Sequence, residues 1–508
     1  VKIAFLSPSN QALISEMSDA VHDLYQTHAY PAMSHPSTDP AATAVAARLA
    51  GLDAPDPSHA RILDIGCATG HNLLPLAARW PKARFTGIDF SKPAIEEASE
   101  SARLAGLTNV EFIGADLKTF NPGDGVNYDF IISHGIYSWV PGAVRQALLD
   151  FCATRLSPQG IAMISYNTLP GWSLRKSIAN LTKLLSAEST SKPIGQEPEQ
   201  ILASLLMAAG NHNPYSRYLT QVLHDIFGQG GYFLRFDDLG PINEPCTFLD
   251  FIAHTSRSGL LYLAESLLCE NFPCALAPEA AEILKPLAGE PHLLQQTIDV
   301  LTNRSFRHSL LCRADAPVER HPNPTSVLKF AVRCPHVMKH IAGGVRLMNH
   351  SGGELARCEK ALEVALFSVL SKTNPETVPF HEVIVHMAEF LKQPFDYSRH
   401  LLPLAEVVME AARKGLISLR SEAVRFNPEP PAVPVLGALR LLAARNGQPM
   451  VDAYHMPCHL DDERKRQLAA AMDGSRTMDE LTALANTNAP DFNVAAWLKH
   501  LAARGMFG

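Results

Sequence analysis

The stretch Ile62–Gly70 reads I-L-D-I-G-C-A-T-G, and Phe85–Asp89 reads F-T-G-I-D. Apolar Ile62, Leu63 and Ile65 make a buried strand. Gly66 and Gly70 let the backbone turn tightly and come close to a ligand. The run Leu73–Trp80 follows as a helix whose N-terminal amides point at that loop. A second strand ends in Asp89, 25 residues after Asp64. A doubly wound sheet keeps the acid that grips a ribose diol at about this position.

Such a loop receives an adenosine-type cofactor. A dinucleotide would need a third glycine and stacked amides for its pyrophosphate, whereas here Asp64 precedes the loop G-C-A-T-G. A carboxylate there repels a pyrophosphate and favours the ammonium of a methionine moiety, so the expected cofactor is S-adenosylmethionine (SAM). Its candidate contacts are Asp64, Gly66, Cys67, Ala68, Gly70 and Asn72 around the loop, with Asp89 and Phe90 at the ribose. Ala115, Asp116 and Leu117 lie where adenine is expected; Asp116 either bonds its exocyclic amine or caps a helix. His134 is expected to contact the methionine part or to accept a proton. An ordinary strand–turn–helix without ligand is the alternative.

Outward from the loop, strands at 61–65, 84–88, 110–113, 128–133 and 160–166 alternate with helices near 71–80, 92–105 and 142–155. That rhythm predicts an α/β, Rossmann-like parallel sheet with right-handed crossovers. Strands at Leu260–Leu263 and Arg307–Cys312 would bring it to seven. The expected organisation is an N-terminal helical lid (1–40), a cofactor-binding core (41–172), a helical insertion (173–247) and completion of the sheet (248–325). Two small, mainly α, winged-helix-like units follow (326–430 and 431–508), the first built on helices Leu355–Leu370, Phe380–Leu391 and Leu401–Lys414.

The chain has 508 residues, 46% of them hydrophobic and 19% charged, as in a soluble globular protein. A net charge of −7 argues against a general nucleic-acid binder. Nine cysteines without a C-x-x-C pair, no apolar run long enough to span a bilayer and no signal-peptide pattern place it in the cytoplasm. Cys334, His336 and His340 are a weak metal-ligand set, the two histidines sharing a helical face, and no metal is expected. The Arg304–Arg307–His308 group is expected to be a solvated or ion-paired face.

The acceptor belongs at the carboxyl ends of strands four and five, in the loops S-H-G-I-Y-S-W-V-P (Ser133–Pro141) and S-Y-N-T-L-P-G-W (Ser165–Trp172). A lysine amine is only about 0.04% neutral at pH 7, so exposing its lone pair costs about 4.6 kcal/mol. Walls of Tyr137, Trp139 and Tyr166 would reduce that by disfavouring the ammonium, and Asn167 would orient the amine. These four are the candidate catalytic residues.

With both loops in view, H-P-S-T-D-P at His35, D-I-G-C-A-T-G-H-N-L, H-G-I-Y-S-W-V-P and S-Y-N-T-L-P-G-W resemble bacterial SAM-dependent methyltransferases with a methyltransferase regulatory domain. The rickettsial lysine methyltransferases of outer-membrane proteins are members. Weaker likeness runs through G-L-L-Y-L-A-E (Gly259–Glu265) and N-R-S-F-R-H-S-L-L (Asn303–Leu311). The chain departs from the family at Cys246–Phe251, C-T-F-L-D-F, where a segment like F-H-E-F is expected. The resemblance implies N-methylation of lysines in a protein partner of the outer-membrane or surface kind, gripped by the insertion and C-terminal units. A small-molecule N- or O-methyltransferase and a SAM-sensing adaptor without turnover are the other readings.

Overall fold

The computed structural model describes residues 24, 27, 30–187, 197–228, 233–272, 276–277, 279–319, 323–486 and 492–507. The expected N-terminal lid therefore lies largely outside the described residues.

Seven strands form one sheet in the order β3-β2-β1-β4-β5-β7-β6. They are β1 (Arg61–Ile65), β2 (Arg84–Asp89), β3 (Val110–Gly114), β4 (Tyr128–Ser133), β5 (Leu156–Asn167), β6 (Leu260–Glu265) and β7 (Phe306–Arg313). β7 runs antiparallel between β5 and β6; the pairs β1–β2, β2–β3, β1–β4 and β4–β5 are parallel. Both faces are covered, so the strands read as apolar runs rather than as alternating patterns. Ile62, Phe85, Phe130 and Met163 face one core, and Leu63, Ile65, Ile131 and Ile164 the other. The order reverses between β1 and β4, and the strand ends open there on a crevice.

After β5, helices α1 (Trp172–Ala187), α2 (Pro198–Ala209) and α3 (Pro214–Gly228) pack on one another through Ile178, Leu202, Leu223 and Ile226. The single π-helical turn Leu234–Asp238 closes this group. Helix α4 (Phe248–Arg257) starts at Thr247, whose hydroxyl accepts the Asp250 amide at 3.1 Å, and leads into β6. Helix α5 (Pro291–Thr302) precedes β7.

The region beyond residue 325 is mostly helical, with two separate cores. The expected helix Leu355–Leu370 is two elements. Glu354–Cys358 is a strand of a three-stranded antiparallel sheet with Gly344–Met348 and Val337–Ile341, and the helix spans Ala361–Thr373. Gly352-Gly353 turn the chain and Cys358 faces the core, a pattern of period two that a helical reading averages away. His340 is likewise on a strand and His336 just before it, its ring bonded to Gly415 O at 2.9 Å, so the two share no helical face. Among the described residues no group of three His, Cys, Asp or Glu side chains could hold a metal ion, and no helix is long and apolar enough to cross a membrane.

The Arg304–Arg307–His308 group is not a solvated face. Arg307 is fully buried, paired with Glu265 and bonded to Asp299 at 2.7 and 2.8 Å, its guanidinium 4.2 Å from the Phe248 ring centre. It ties β6, β7, α4 and α5 together.

Candidate active site

A cavity of about 680 Å³ opens over the carboxyl ends of β1, β2 and β4. Its floor is the glycine loop. Gly66 and Gly70 have φ of +76° and +72°, a conformation that a side chain rarely tolerates, and a Cβ on Gly70 would meet Phe112 at 2.7 Å. Every candidate cofactor contact named from the sequence lines the cavity except Gly70, which packs against Phe112 and so shapes the loop from outside.

Two carboxylates mark the cofactor end. Asp64 is buried, and Asn72 Nδ2 donates to its Oδ2 at 3.4 Å. Burial pushes the Asp64 carboxyl up to about 7; the Asn72 bond opposes this and the charge of Asp89 adds to it. Asp89 accepts the Ala68 amide at 2.9 Å and the Ser91 amide at 2.8 Å, which fixes its carboxylate at the end of β2. Burial raises it as well, against those backbone bonds. Where adenine is expected, Asp116 caps a turn rather than a helix, accepting the Lys118 amide at 2.9 Å, and it lines the cavity too.

Three histidines meet nearby. His134 stacks on His35 with ring centres 3.7 Å apart, and His308 lies 5.7 Å from His134. Burial, then the neighbouring rings, holds His134 well below its ordinary value and His35 at about 4, so both are neutral near pH 7. A proton-accepting role for His134 is correspondingly poor. His35 stood in the H-P-S-T-D-P motif and His308 beside Arg307, but their meeting with His134 depends on the fold.

The far end holds Trp139, Asn167, Trp172, Phe306, Arg175 and Asp237, with Tyr30 across from them. Trp139 and Trp172 pack edge to face at 6.0 Å. Tyr137 and Tyr166 are absent from the lining. Both are buried in the core beneath it, Tyr137 bonded through its hydroxyl to His254 Nδ1 at 2.7 Å and Tyr166 to Ser309 at 3.2 Å. The reason is alternation along β5: Asn167 faces the cavity, so Tyr166 points to the opposite face and stacks on Phe251 at 4.0 Å. Tyr137 follows cavity-lining Ile136 and turns inward to the same Phe251. The expected tyrosine walls are therefore core, and the aromatic walls are Trp139, Trp172 and Phe306.

Asp237 was not legible in the sequence. It sits in the π-helical turn, a kind of helical irregularity frequent at functional sites. Asn243 Nδ2 donates to its carbonyl at 3.0 Å, while Asn167 Nδ2 donates to Asn243 Oδ1 at 3.1 Å, so the loop after β5 and the π-helical turn share one network. The adjacent Asp238 takes Arg175 in a two-pronged pair at 2.5 and 2.7 Å, with that guanidinium 4.6 Å from the Trp172 ring centre. Burial, then the charge of Asp238, pushes the Asp237 carboxyl up to about 7, against Arg175 and a bond from Tyr30.

Residues 62–160 match a methyltransferase domain, and residues 231–313 match a predicted methyltransferase regulatory domain. An uncharacterized protein of Rickettsia prowazekii is 33% identical over 315 residues, which cover 62% of this chain but only 57% of that protein. A second one from the same organism is 33% identical over 235 residues, 46% of this chain and 94% of its own length. A trans-aconitate 2-methyltransferase of Streptomyces avermitilis is 40% identical over 86 residues, 17% of this chain and 31% of that enzyme. In fold, the chain is similar to PKMT2 from Rickettsia typhi, solved in complex with AdoHcy, with a TM-score of 0.82 at 22% identity over 94% of this chain and 99% of that one. The chain belongs to the bacterial SAM-dependent methyltransferases that carry a methyltransferase regulatory domain.

Proposed function

We propose that this methyltransferase acts on lysine side-chain amines of a protein partner. The observation that carries the reading is the acceptor end of the cavity, where aromatic walls surround a carboxylate, Asp237, whose neighbouring cation Arg175 is engaged by Asp238. The family resemblance to lysine methyltransferases and the fold likeness to PKMT2 support it. Similarity to the trans-aconitate 2-methyltransferase of Streptomyces avermitilis covers 86 residues and carries no argument about the acceptor of the whole chain.

The residues of the floor fit the cofactor. Asp64, oriented by Asn72, would hold the ammonium of its amino-acid end, Asp89 the ribose hydroxyls, and Asp116 with Leu117 the adenine. When bound, SAM supplies a methyl group made electrophilic by its sulfonium. The chain's part is to align an amine lone pair with that group. A lysine enters as an ammonium, attracted by Asp237. Trp139, Trp172 and Phe306 disfavour its charged form. Asp237, with its carboxyl near 7, accepts a proton more readily than an exposed carboxylate does. A carboxylate acceptor would meet like charge there.

The test uses the full chain loaded with S-adenosylhomocysteine (SAH) and two probes of equal length, n-hexylammonium and n-hexanoate. The ammonium is expected to bind and the carboxylate not. Asp237→Asn is expected to weaken the ammonium about tenfold or more while leaving SAH affinity unchanged. Preference for hexanoate, or ammonium binding indifferent to Asp237→Asn, contradicts the reading.

A further inference from the structure

The two residues directly after the glycine loop both bond to the C-terminal part of the chain. The His71 ring nitrogen Nε2 lies 2.7 Å from Pro449 O, and His455 Nε2 lies 2.9 Å from Asn72 Oδ1. His455 is completely buried although 383 residues separate it from Asn72. Its backbone is left-handed, φ +63°. The turn around it is built to that end. Asp452 Oδ1 accepts the amides of Tyr454 at 2.8 Å and Met456 at 2.9 Å, while Asp452 Oδ2 accepts Arg504 at 2.9 Å. Arg79, on the helix after the loop, donates to Ala453 O at 2.8 Å and to buried Asp39 at 2.9 Å. Asp39 also accepts Arg420 at 2.6 Å, so the contact is latched on both sides.

The chemistry of Asn72 fixes the direction of the bond. The His35 amide can only donate, so Oδ1 faces it and Nδ2 faces the Asp64 carboxyl. That Oδ1 is then the acceptor toward His455, the His35 amide at 3.0 Å and the Thr38 hydroxyl at 3.1 Å. Thr38 has one proton and is also 2.7 Å from His35 O, so its share in holding Asn72 is divided. Burial keeps the His455 ring neutral, with its titration near 3, and its Nε2–H donates.

We infer that His455 is a positioning residue for the cofactor: the C-terminal unit reaches into the floor of the cavity and turns the Asn72 amide toward Asp64. Docking of that unit and binding of the amino-acid end of the cofactor are then coupled, and each strengthens the other by the same factor. This rests on the reading that gives Asp64 to that end, and it is independent of which acceptor is methylated.

The experiment compares SAH with methylthioadenosine, which has the adenosine part but lacks the amino acid, by calorimetry on the full chain. Asparagine tolerates the left-handed backbone but does not extend to where Nε2 lies; glutamine places an amide N–H there. His455→Asn is expected to weaken SAH about tenfold, roughly the worth of one buried hydrogen bond, and to leave methylthioadenosine unchanged. His455→Gln is expected to recover most of the SAH affinity. Unchanged SAH binding in His455→Asn would overturn the inference, and so would equal losses for both ligands, since general damage to the fold weakens both. A glutamine variant as weak as the asparagine one counts against it as well. Failure of the amine reading leaves all these results untouched.

Discussion

Asp64→Asn is expected to weaken SAH binding about 100-fold or more and, at the same time, to stabilise the ligand-free protein around pH 8. Removing one partner of a buried ion pair costs about 3–5 kcal/mol, which corresponds to roughly two to three orders of magnitude in affinity. The stability effect has the opposite sign. The carboxyl moves from 3.8 in the open chain to about 7 when folded, mainly by burial. The folded protein therefore keeps a proton that the unfolded chain releases, and the stabilisation present below about pH 4 is lost as pH rises through 7. Above that, ionised Asp64 is a burden on the order of 4 kcal/mol, which asparagine relieves. Wild-type affinity for SAH should also rise with pH through about 7, because the ionised form pairs with the ammonium, and the variant should lose that slope. Calorimetry at several pH values with parallel thermal unfolding reads all three effects. An Asp64→Asn protein that binds SAH normally would show that the amino-acid end lies elsewhere.

Arg307→Leu should be the most damaging single change to the fold outside the cavity. It leaves Glu265 without its guanidinium and Asp299 with Arg304 alone as its cation, at 3.3 Å, both carboxylates being fully buried. The expected loss is about 3–5 kcal/mol, with further loss of packing on Phe248. Replacing the charges together should recover much of it, because buried clusters are costly chiefly when broken. Chemical unfolding of Arg307→Leu beside the triple variant with Glu265→Gln and Asp299→Asn checks this. A single variant as stable as wild type would mean that the cluster is not the tie between β6, β7, α4 and α5.

These cases mark what the sequence makes legible. The sheet could be read because its strands are short apolar runs bounded by glycines, and because Asp64 and Asp89 stand at strand ends whose place in a doubly wound sheet is fixed by topology. The floor of the cavity followed almost residue by residue, since one loop supplies most of it. The acceptor end followed only in part: Trp139 and Asn167 line it, Tyr137 and Tyr166 do not. Its residues come from the loop after β4, from β5, α1, the π-helical turn and β7, and a loop rich in tyrosine does not reveal which ring faces inward. One step of strand register put Tyr166 in the core and Asn167 in the cavity. Asp237 and His455 are single polar residues whose meaning comes from partners far along the chain. Ion pairing of the Arg304–Arg307–His308 group is legible, whereas the burial of Arg307 and the identity of Glu265 and Asp299 as its partners come only with the fold, since arginine is usually exposed.

The central claim, methyl transfer to lysine amines, is tested most directly by incubating the full chain with methyl-labelled SAM and bacterial protein extract, then locating the label after separation and acid hydrolysis. The account predicts methyl-lysine on discrete protein bands, absent with Asp64→Asn and strongly reduced with Asp237→Asn. Label in methyl esters that mild base releases, or only in the small-molecule fraction, would contradict it.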